Sequence, residues 1–471
     1  MEKNDYVVSL DDIGDHMGDS PQAQYIMDYL IDTLIAKTGI IENEYVDKDY
    51  LIDYSGFFAR SFEKIERFTK RIHFFSNSFS QEDFEQNISL FQNNIQDAKL
   101  QYDLINDLKK SYLGYVVIKP VEYSMGQPLI GRTLLKPPSK PVTDSFDTRE
   151  CIIRKNSANL YGIPLNVDAL SFQVQDSAVA ACATVSLWMA NSKINELFGT
   201  QEFSPIEITS RATEFIESGR NFPSTGLTIK QMVNFFKGIG LDYDTVNIDY
   251  LVKTLNDDNY SENKKNLIEE YLKDVVPDAV KAISRTGIPI VASISLIKKD
   301  HDLIEDHEHH AVVICGFRQN ENGQVTKLYV HDDQIGPYCR VKDASPTGKF
   351  LKWENEWVTR EGYSEVTLDK LLIPIYPKIR ITFDIIYSYC RKLRKGNPGL
   401  NFDLYLTTVQ DYKKMLLRLP FRDKVSKLKE SMPRFIWVIS AYKGESLVRE
   451  WLIDATSHHM RIFNEIDYTQ Y

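Results

Sequence analysis

The stretch HHAVVICG at residues 309–316 decides the fold that we expect for this chain. Its apolar run is rich in β-branched residues, which predicts a buried strand that begins just after a pair of histidines. A second strand is predicted over 325–330, and the Asn322-Gly323 pair between the two strands is the strongest short signal for a β-hairpin. The sequence therefore predicts an antiparallel sheet that carries His310 near the start of one strand.

Helices are predicted around this sheet. Ala is frequent and helix-breaking residues are few over 176–192, and Cys182 lies near the start of this predicted helix with small residues on both sides. Thr228 and Gln231 match a capping box, which predicts that another helix begins there. Together with the strands, these helices predict an α+β domain over 150–345.

A thiol in such an arrangement can become a nucleophile. An ordinary Cys thiol is mostly protonated at neutral pH, but a helix N-terminus and a nearby imidazolium stabilise its thiolate. Cys182 and His310 supply the thiol and the imidazole, and a carboxylate after the second strand can orient the imidazole. Gln175 can donate its side-chain amide to the oxyanion of acyl transfer, and the backbone N–H of Cys182 can donate a second hydrogen bond.

Two carboxylates compete for the orienting role, Asp332 and Asp333. If the hairpin loop has only two residues, Asp333 faces the same side of the sheet as His310. A three-residue loop or a β-bulge shifts the register by one residue and favours Asp332. His309 is the competing base, but strand alternation directs it to the face opposite His310.

The order of these residues resembles the papain-like cysteine peptidases, and within them most closely the bacteriocin-processing branch that cleaves double-glycine leaders. The likeness lies in a Gln and a Cys at the head of a helix, a strand beginning His-Ala-Val-Val that is followed by Gly, and a strand that ends in Asp. It covers about residues 165–340. It implies a papain-like core, with Cys182 as nucleophile, His310 as base, Asp332 as the orienting residue and Gln175 as oxyanion donor.

Two other functions fit the same residues. One is an acyltransferase or transglutaminase-type enzyme, in which an amine replaces water as the acceptor. The other is a non-catalytic interaction protein that keeps the papain-like fold. The oxyanion region keeps this last alternative open, because Asp176 stands where the family commonly has its Gln and Ala183 where it commonly has Gly.

Composition excludes several classes of protein. The 471 residues carry a formal net charge of -10, and they lack the clustered Lys and Arg that nucleic-acid partners require. No secretory signal and no membrane-spanning stretch is predicted. The five cysteines are widely spaced without a CxxC, which does not suggest a disulfide framework or a zinc site. We therefore expect a cytoplasmic enzyme that acts on a peptide or protein substrate, without a cofactor, metal, nucleic acid or membrane.

The flanks are predicted to be separate regions. Residues 1–135 predict a mainly helical N-terminal region, with a strand at 115–118 that stops at Pro120. Residues 346–471 predict an α/β C-terminal extension, either separate from the core or continuous with it. The proline-rich stretch 136–141 is the clearest linker. Our hypothesis is that the flanks cover the cleft or select a protein substrate.

Overall fold

The computed structural model combines helices with antiparallel sheets, which confirms the predicted α+β class. Every strand pairing between named strands is antiparallel. No helix in the described part of the chain has the length and apolar character needed to cross a membrane. The structure describes residues 6–62, 64–93, 106–124, 126–138, 148–176, 181–214, 226–300, 303–345, 350–418 and 424–469.

The first sheet lies in the N-terminal region and has five strands in the order β1-β2-β3-β4-β5. These strands are β1 (Val7–Ser9), β2 (Thr38–Tyr45), β3 (Thr69–Phe75), β4 (Tyr112–Ser124) and β5 (Gln127–Leu135). The helices of this region include Leu10–Met17, Pro21–Asp28, Lys48–Gly56 and Gln81–Asn93, with a π-helical turn at Tyr29–Thr33 and a 3-10 turn at Phe58–Arg60. Residues 106–111 are also helical.

The N-terminal region contains the expected helices, but its five-stranded sheet was not predicted, since only one strand, at 115–118, was expected there. Strand β3 is buried on both faces, because Ile72 and Phe74 pack into one hydrophobic cluster and Phe75 into another. A strand covered on both faces shows no apolar-polar alternation, so its sequence lacks the usual strand signal. The prediction that β4 stops at Pro120 was wrong, since β4 continues to Ser124. Its pairing with β5 shifts register between Lys119 and Glu122, on either side of the proline. At such an irregularity the regular hydrogen-bond pattern between the strands is already broken, so a proline can be accommodated without ending the strand.

The central sheet has the strand order β14-β13-β12-β11-β10-β15-β9, with β6 paired to β11. Strand β15 comes from beyond residue 345 and yet lies between β10 and β9, so the C-terminal part of the chain contributes to this sheet. The strands are β6 (Thr148–Cys151), β9 (Asp242–Asn247), β10 (Ile290–Asp300), β11 (Leu303–Gln319), β12 (Val325–Asp332), β13 (Gly336–Asp343), β14 (Trp353–Glu354) and β15 (Glu365–Ile375). A separate hairpin is formed by β7 (Arg154–Leu160) and β8 (Ile163–Ala169).

Helices cover the central sheet. The helix Cys182–Phe198, called the cysteine helix below, packs against β11 through a hydrophobic cluster that includes Val185 and Val313. The capping box predicted at Thr228 and Gln231 is confirmed in both of its hydrogen bonds. The helices of this region are Cys182–Phe198, Pro205–Ala212, Ile229–Gly238, Ile248–Leu255, Glu262–Leu272, Val275–Ser284 and Glu356–Thr359.

A third, four-stranded sheet lies in the C-terminal part of the chain, in the order β16-β17-β18-β19. Its strands are β16 (Asn401–Thr408), β17 (Phe435–Lys443), β18 (Ser446–Asp454) and β19 (Ile462–Asp467), and its helices are Phe383–Gly396, Val409–Arg418 and Lys424–Lys429. Leu404 and Phe435 of this sheet belong to the same buried cluster as Ile294 and Leu371 of the central sheet. The boundaries at 135, 150 and 345 stay predictions, and most of the predicted linker lies outside the described residues.

The N-terminal region packs directly on the cysteine helix. Trp188 of that helix donates a hydrogen bond from Nε1 to Asp49 at 2.7 Å, and Arg132 forms an ion pair with the same carboxylate at 2.6 Å. Ile13 and Tyr50 lie in the same buried cluster as Trp188. Because this core is shared, removing the N-terminal region would expose apolar surface of the cysteine helix to water.

Gly316 allows β6 to approach β11. A Cβ at this position would lie 2.4 Å from the backbone oxygen of Glu150, a distance that requires the strands to separate. We therefore expect Gly316→Ala to lower the free energy of unfolding by about 2 kcal/mol, as overpacking against backbone does. Urea denaturation measures the change. Gly238→Ala is the matched control, because a Cβ at Gly238 meets nothing within 4 Å; equal stability losses in both variants would contradict the packing argument.

Candidate active site

Cys182 is the first residue of the cysteine helix, which confirms the prediction that it lies near a helix start. Ala181 precedes it as the N-cap and supplies no side-chain hydrogen bond. The first backbone N–H groups of a helix have no partner within the helix, so they present partial positive charge at its N-terminus. The half-buried thiol of Cys182 therefore lies where an anion is stabilised.

His310 lies on β11, where it pairs with Ile294 of β10, and it is almost fully buried. Its Nε2 donates a hydrogen bond to Oδ1 of Asp332 at 2.9 Å. Burial by itself lowers the pKa of His310. The charge and hydrogen bond of Asp332, with smaller contributions from a hydrogen bond with Cys182 and from the charge of Asp333, outweigh burial and raise this pKa well above its usual range.

The hairpin after β11 explains why Asp332 faces His310. Its loop has three residues, 321–323, because the backbone of Asn320 pairs with that of Gln324, so the two-residue alternative was wrong. The register shifts near the loop and again at Cys315, after which Val313 pairs with His331. With this register, Asp332 is opposite Val312, so the side chains of Asp332 and His310 lie on the same face of the sheet.

Asp332 is held by two further donors. The backbone N–H of Gln334 donates to Oδ1 at 3.1 Å, and Nε1 of Trp357 donates to Oδ2 at 2.7 Å. The ring of Trp357 also packs against the imidazole of His310, with centroids 5.4 Å apart. Both oxygens of this buried carboxylate are therefore satisfied, and its position relative to the imidazole is fixed.

Sequence reasoning missed Trp357. A buried carboxylate requires a donor for each oxygen, which is a reason to look for a Trp, Tyr or Arg near Asp332. Trp357 lies 25 residues further along the chain, in the short helix Glu356–Thr359, and no local pattern distinguishes it from Trp353. The contact depends on the route that the chain takes through β13 and β14 before it reaches Trp357. The sequence alone does not predict that route.

Cys182 and His310 line one cavity of about 580 Å³. The hydrogen bond from Oγ of Ser186 to the backbone oxygen of Ala311, at 2.9 Å, joins the cysteine helix to the residue after His310. Ser186 lies one helical turn beyond Cys182 on the same face, so this bond places the start of the helix beside the histidine.

His309 is on the other face of β11. Its side chain is 70% exposed, and Nδ1 lies 3.2 Å from Oγ of Ser295 and 3.4 Å from Oδ2 of Asp369. The structure thus separates the two neighbouring histidines, as strand alternation predicts. His309 lines the same cavity as Cys182 but does not share the carboxylate of His310.

Gln175 is not brought to the cavity. It is partly buried, and it is not among the described residues that line the space around Cys182. Asp176, the residue after Gln175, lies near Asp53. Burial raises the pKa of Asp53 to about 7, and the charge of Asp176 adds to the increase.

The one group in the described part of the chain with spacing suitable for a metal ion is His310, Asp332 and Asp333. Their ligand atoms lie within 4.8 Å of one another. Both oxygens of Asp332 already accept hydrogen bonds from protein donors, so the carboxylate requires no cation for its satisfaction.

The sequence matches no known protein-family model, and no curated protein is significantly similar to it. An assignment of function therefore depends on the geometry of the cavity around Cys182.

Proposed function

We propose that this protein is a papain-like cysteine hydrolase, and specifically a peptidase that cleaves peptide or isopeptide bonds through Cys182, His310 and Asp332. The observation that carries the proposal is the buried hydrogen bond between His310 and Asp332. His310 also lines the cavity that holds the Cys182 thiol at a helix N-terminus. Such a pairing of imidazole and carboxylate is what a thiolate-imidazolium pair requires.

In the proposed first step, the thiolate of Cys182 attacks the carbonyl carbon and the C=O electrons move to oxygen. Backbone N–H groups at the start of the cysteine helix donate hydrogen bonds to this oxyanion. The imidazolium of His310 then gives its proton to the nitrogen of the leaving amine as the C–N bond breaks. A thioester between Cys182 and the acyl group remains.

In the proposed second step, water hydrolyses the thioester. His310, now neutral, removes a proton from water as its oxygen attacks the thioester carbon. The C–S bond breaks, the carboxylic acid leaves, and the thiolate-imidazolium pair is restored. Because Nε2 of His310 is bound to Asp332, Nδ1 is the ring atom left to exchange protons with thiol and substrate.

The other four thiols do not suit the role. Burial raises the pKa of Cys151 and of Cys390 to about 12 each, and burial raises the pKa values of Cys315 and Cys339 well above the usual range. All five cysteines are free, which supports the proposal that the protein works in a reducing compartment such as the cytoplasm.

Alkylation with iodoacetamide tests the proposal without a known substrate. A thiolate reacts and a protonated thiol does not, so we expect Cys182 to be alkylated at least about 100-fold faster than Cys151 near neutral pH. Brief treatment of the native protein, followed by peptide mapping of all five cysteines, measures the five rates in one sample. Equal rates at Cys182 and Cys151, or a slower rate at Cys182, would remove the nucleophile assignment.

A further inference from the structure

A second carboxylate, that of Asp333, lies beside His310 and has no role in the steps above. Its Oδ1 is 3.7 Å from Nε2 of His310, and its side chain is fully buried. Neither of its oxygens accepts a hydrogen bond from another residue in the described part of the chain. Asp332, by contrast, holds the imidazole directly and receives hydrogen bonds from Gln334 and Trp357.

A buried carboxylate without donors is costly if it only fills space. An ionised carboxylate taken out of water must find a compensating charge or gain a proton. The charges that act on Asp333 are those of His310, on β11, and of its neighbour Asp332. Glu356, from the short helix that carries Trp357, has its pKa raised by burial and by the charge of Asp332, and the charge of Asp333 is not among the causes. His310 is thus the cation that compensates an ionised Asp333.

We propose that Asp333 is a second positioning carboxylate of the active site, whose negative charge keeps the proton on His310 and so stabilises the thiolate-imidazolium pair of Cys182. This inference rests on the proposed function, since it assigns Asp333 a role in the charge state of that same pair. Asp333 touches neither the thiol nor a substrate, so it acts through His310.

The electrostatics give this role a pH dependence. Burial raises the pKa of Asp333 to about 7, and the charge of Asp332 adds to the increase while that of His310 opposes it. Asp333 is therefore neutral in acid and ionised above neutral pH, which is the range in which an imidazolium begins to lose its proton. The extra negative charge delays that loss, because a carboxylate within about 4–6 Å favours a charged imidazole by about 1–3 pH units.

The test is the pH profile of the alkylation rate of Cys182, measured by peptide mapping for the full chain. The alkaline inflection of this profile reports the loss of the proton from His310. In Asp333→Asn we expect the inflection to move to lower pH by about one unit or more, since the opposing charge is gone. Asp333→Ser, which is also neutral but smaller, should show the same shift, so a packing defect of one variant does not decide the result.

Glu450→Gln is the matched control, because Glu450 is a buried carboxylate of the third sheet, bound by the hydroxyls of Tyr412, Tyr468 and Ser440. Its profile should coincide with that of the unaltered protein. If the inflection is unchanged in both neutral variants of Asp333, the inference about Asp333 is overturned, but the assignment of Cys182 as nucleophile is not affected. Failure of the proposed function looks different, because Cys182 of the unaltered protein then reacts no faster than Cys151.

Discussion

Replacing His310 by Gln is expected to slow the alkylation of Cys182 by about 100- to 1000-fold in mildly acidic solution. An ordinary thiol with a pKa of about 8.5 is only about 0.1% ionised at about pH 5.5, so nearly all of its reactivity there depends on a partner cation. His310 lines the cavity and is the imidazole that hydrogen-bonds with Cys182. Asp332 raises the pKa of His310 well above its usual range, so His310 remains protonated at this pH. Gln fills similar space but carries no charge.

The control is the histidine next to it. His309→Gln removes an exposed imidazole from the opposite face of the same strand, so we expect the alkylation rate of Cys182 to stay within about threefold of the original. Circular dichroism and thermal unfolding establish that both variants keep the fold. A large loss in His309→Gln together with a small loss in His310→Gln would reverse the assignment of the two histidines.

Features that depend on neighbours in sequence were predictable. The capping box joins Thr228 to a residue three positions away, and the start of the cysteine helix depends on local composition. The apolar strand after His310 and the turn at Asn322 are equally local signals. In each case the interactions that decide the conformation lie within a few residues, so one sequence contains enough information to find them.

Features that depend on distant contacts were not predictable. The choice between Asp332 and Asp333 depends on a bulge at Cys315 and on the loop length, each of which shifts the register by one residue. Trp357 contacts Asp332 only because the chain between them, through β13 and β14, folds back toward the central sheet. The N-terminal sheet escaped notice because β3 is covered on both faces and therefore lacks alternation.

The second large effect that we expect concerns stability in acid. His331, on β12, is fully buried between the rings of Phe172 and Tyr338, and burial lowers its pKa to about 3. The unfolded chain protonates a histidine near its ordinary pKa of about 6.5. Between these two values the unfolded state binds more protons than the folded state, so the free energy of unfolding falls as the pH decreases, by about 1.4 kcal/mol per pH unit.

His331→Leu removes this titration and keeps an apolar side chain of similar size between the two rings. We therefore expect the variant to gain about 3 kcal/mol of stability relative to the unaltered protein when the pH is lowered from about 7 to about 4. Urea denaturation at several pH values measures the difference between the two proteins. The titrations of His310 and Asp333 occur in both proteins and cancel in that difference. His459→Gln, at an exposed histidine, should leave the difference independent of pH. If the stability difference between His331→Leu and the unaltered protein were also independent of pH, His331 would be protonated in the folded protein as readily as in the unfolded chain. The complete burial of His331 argues against that outcome.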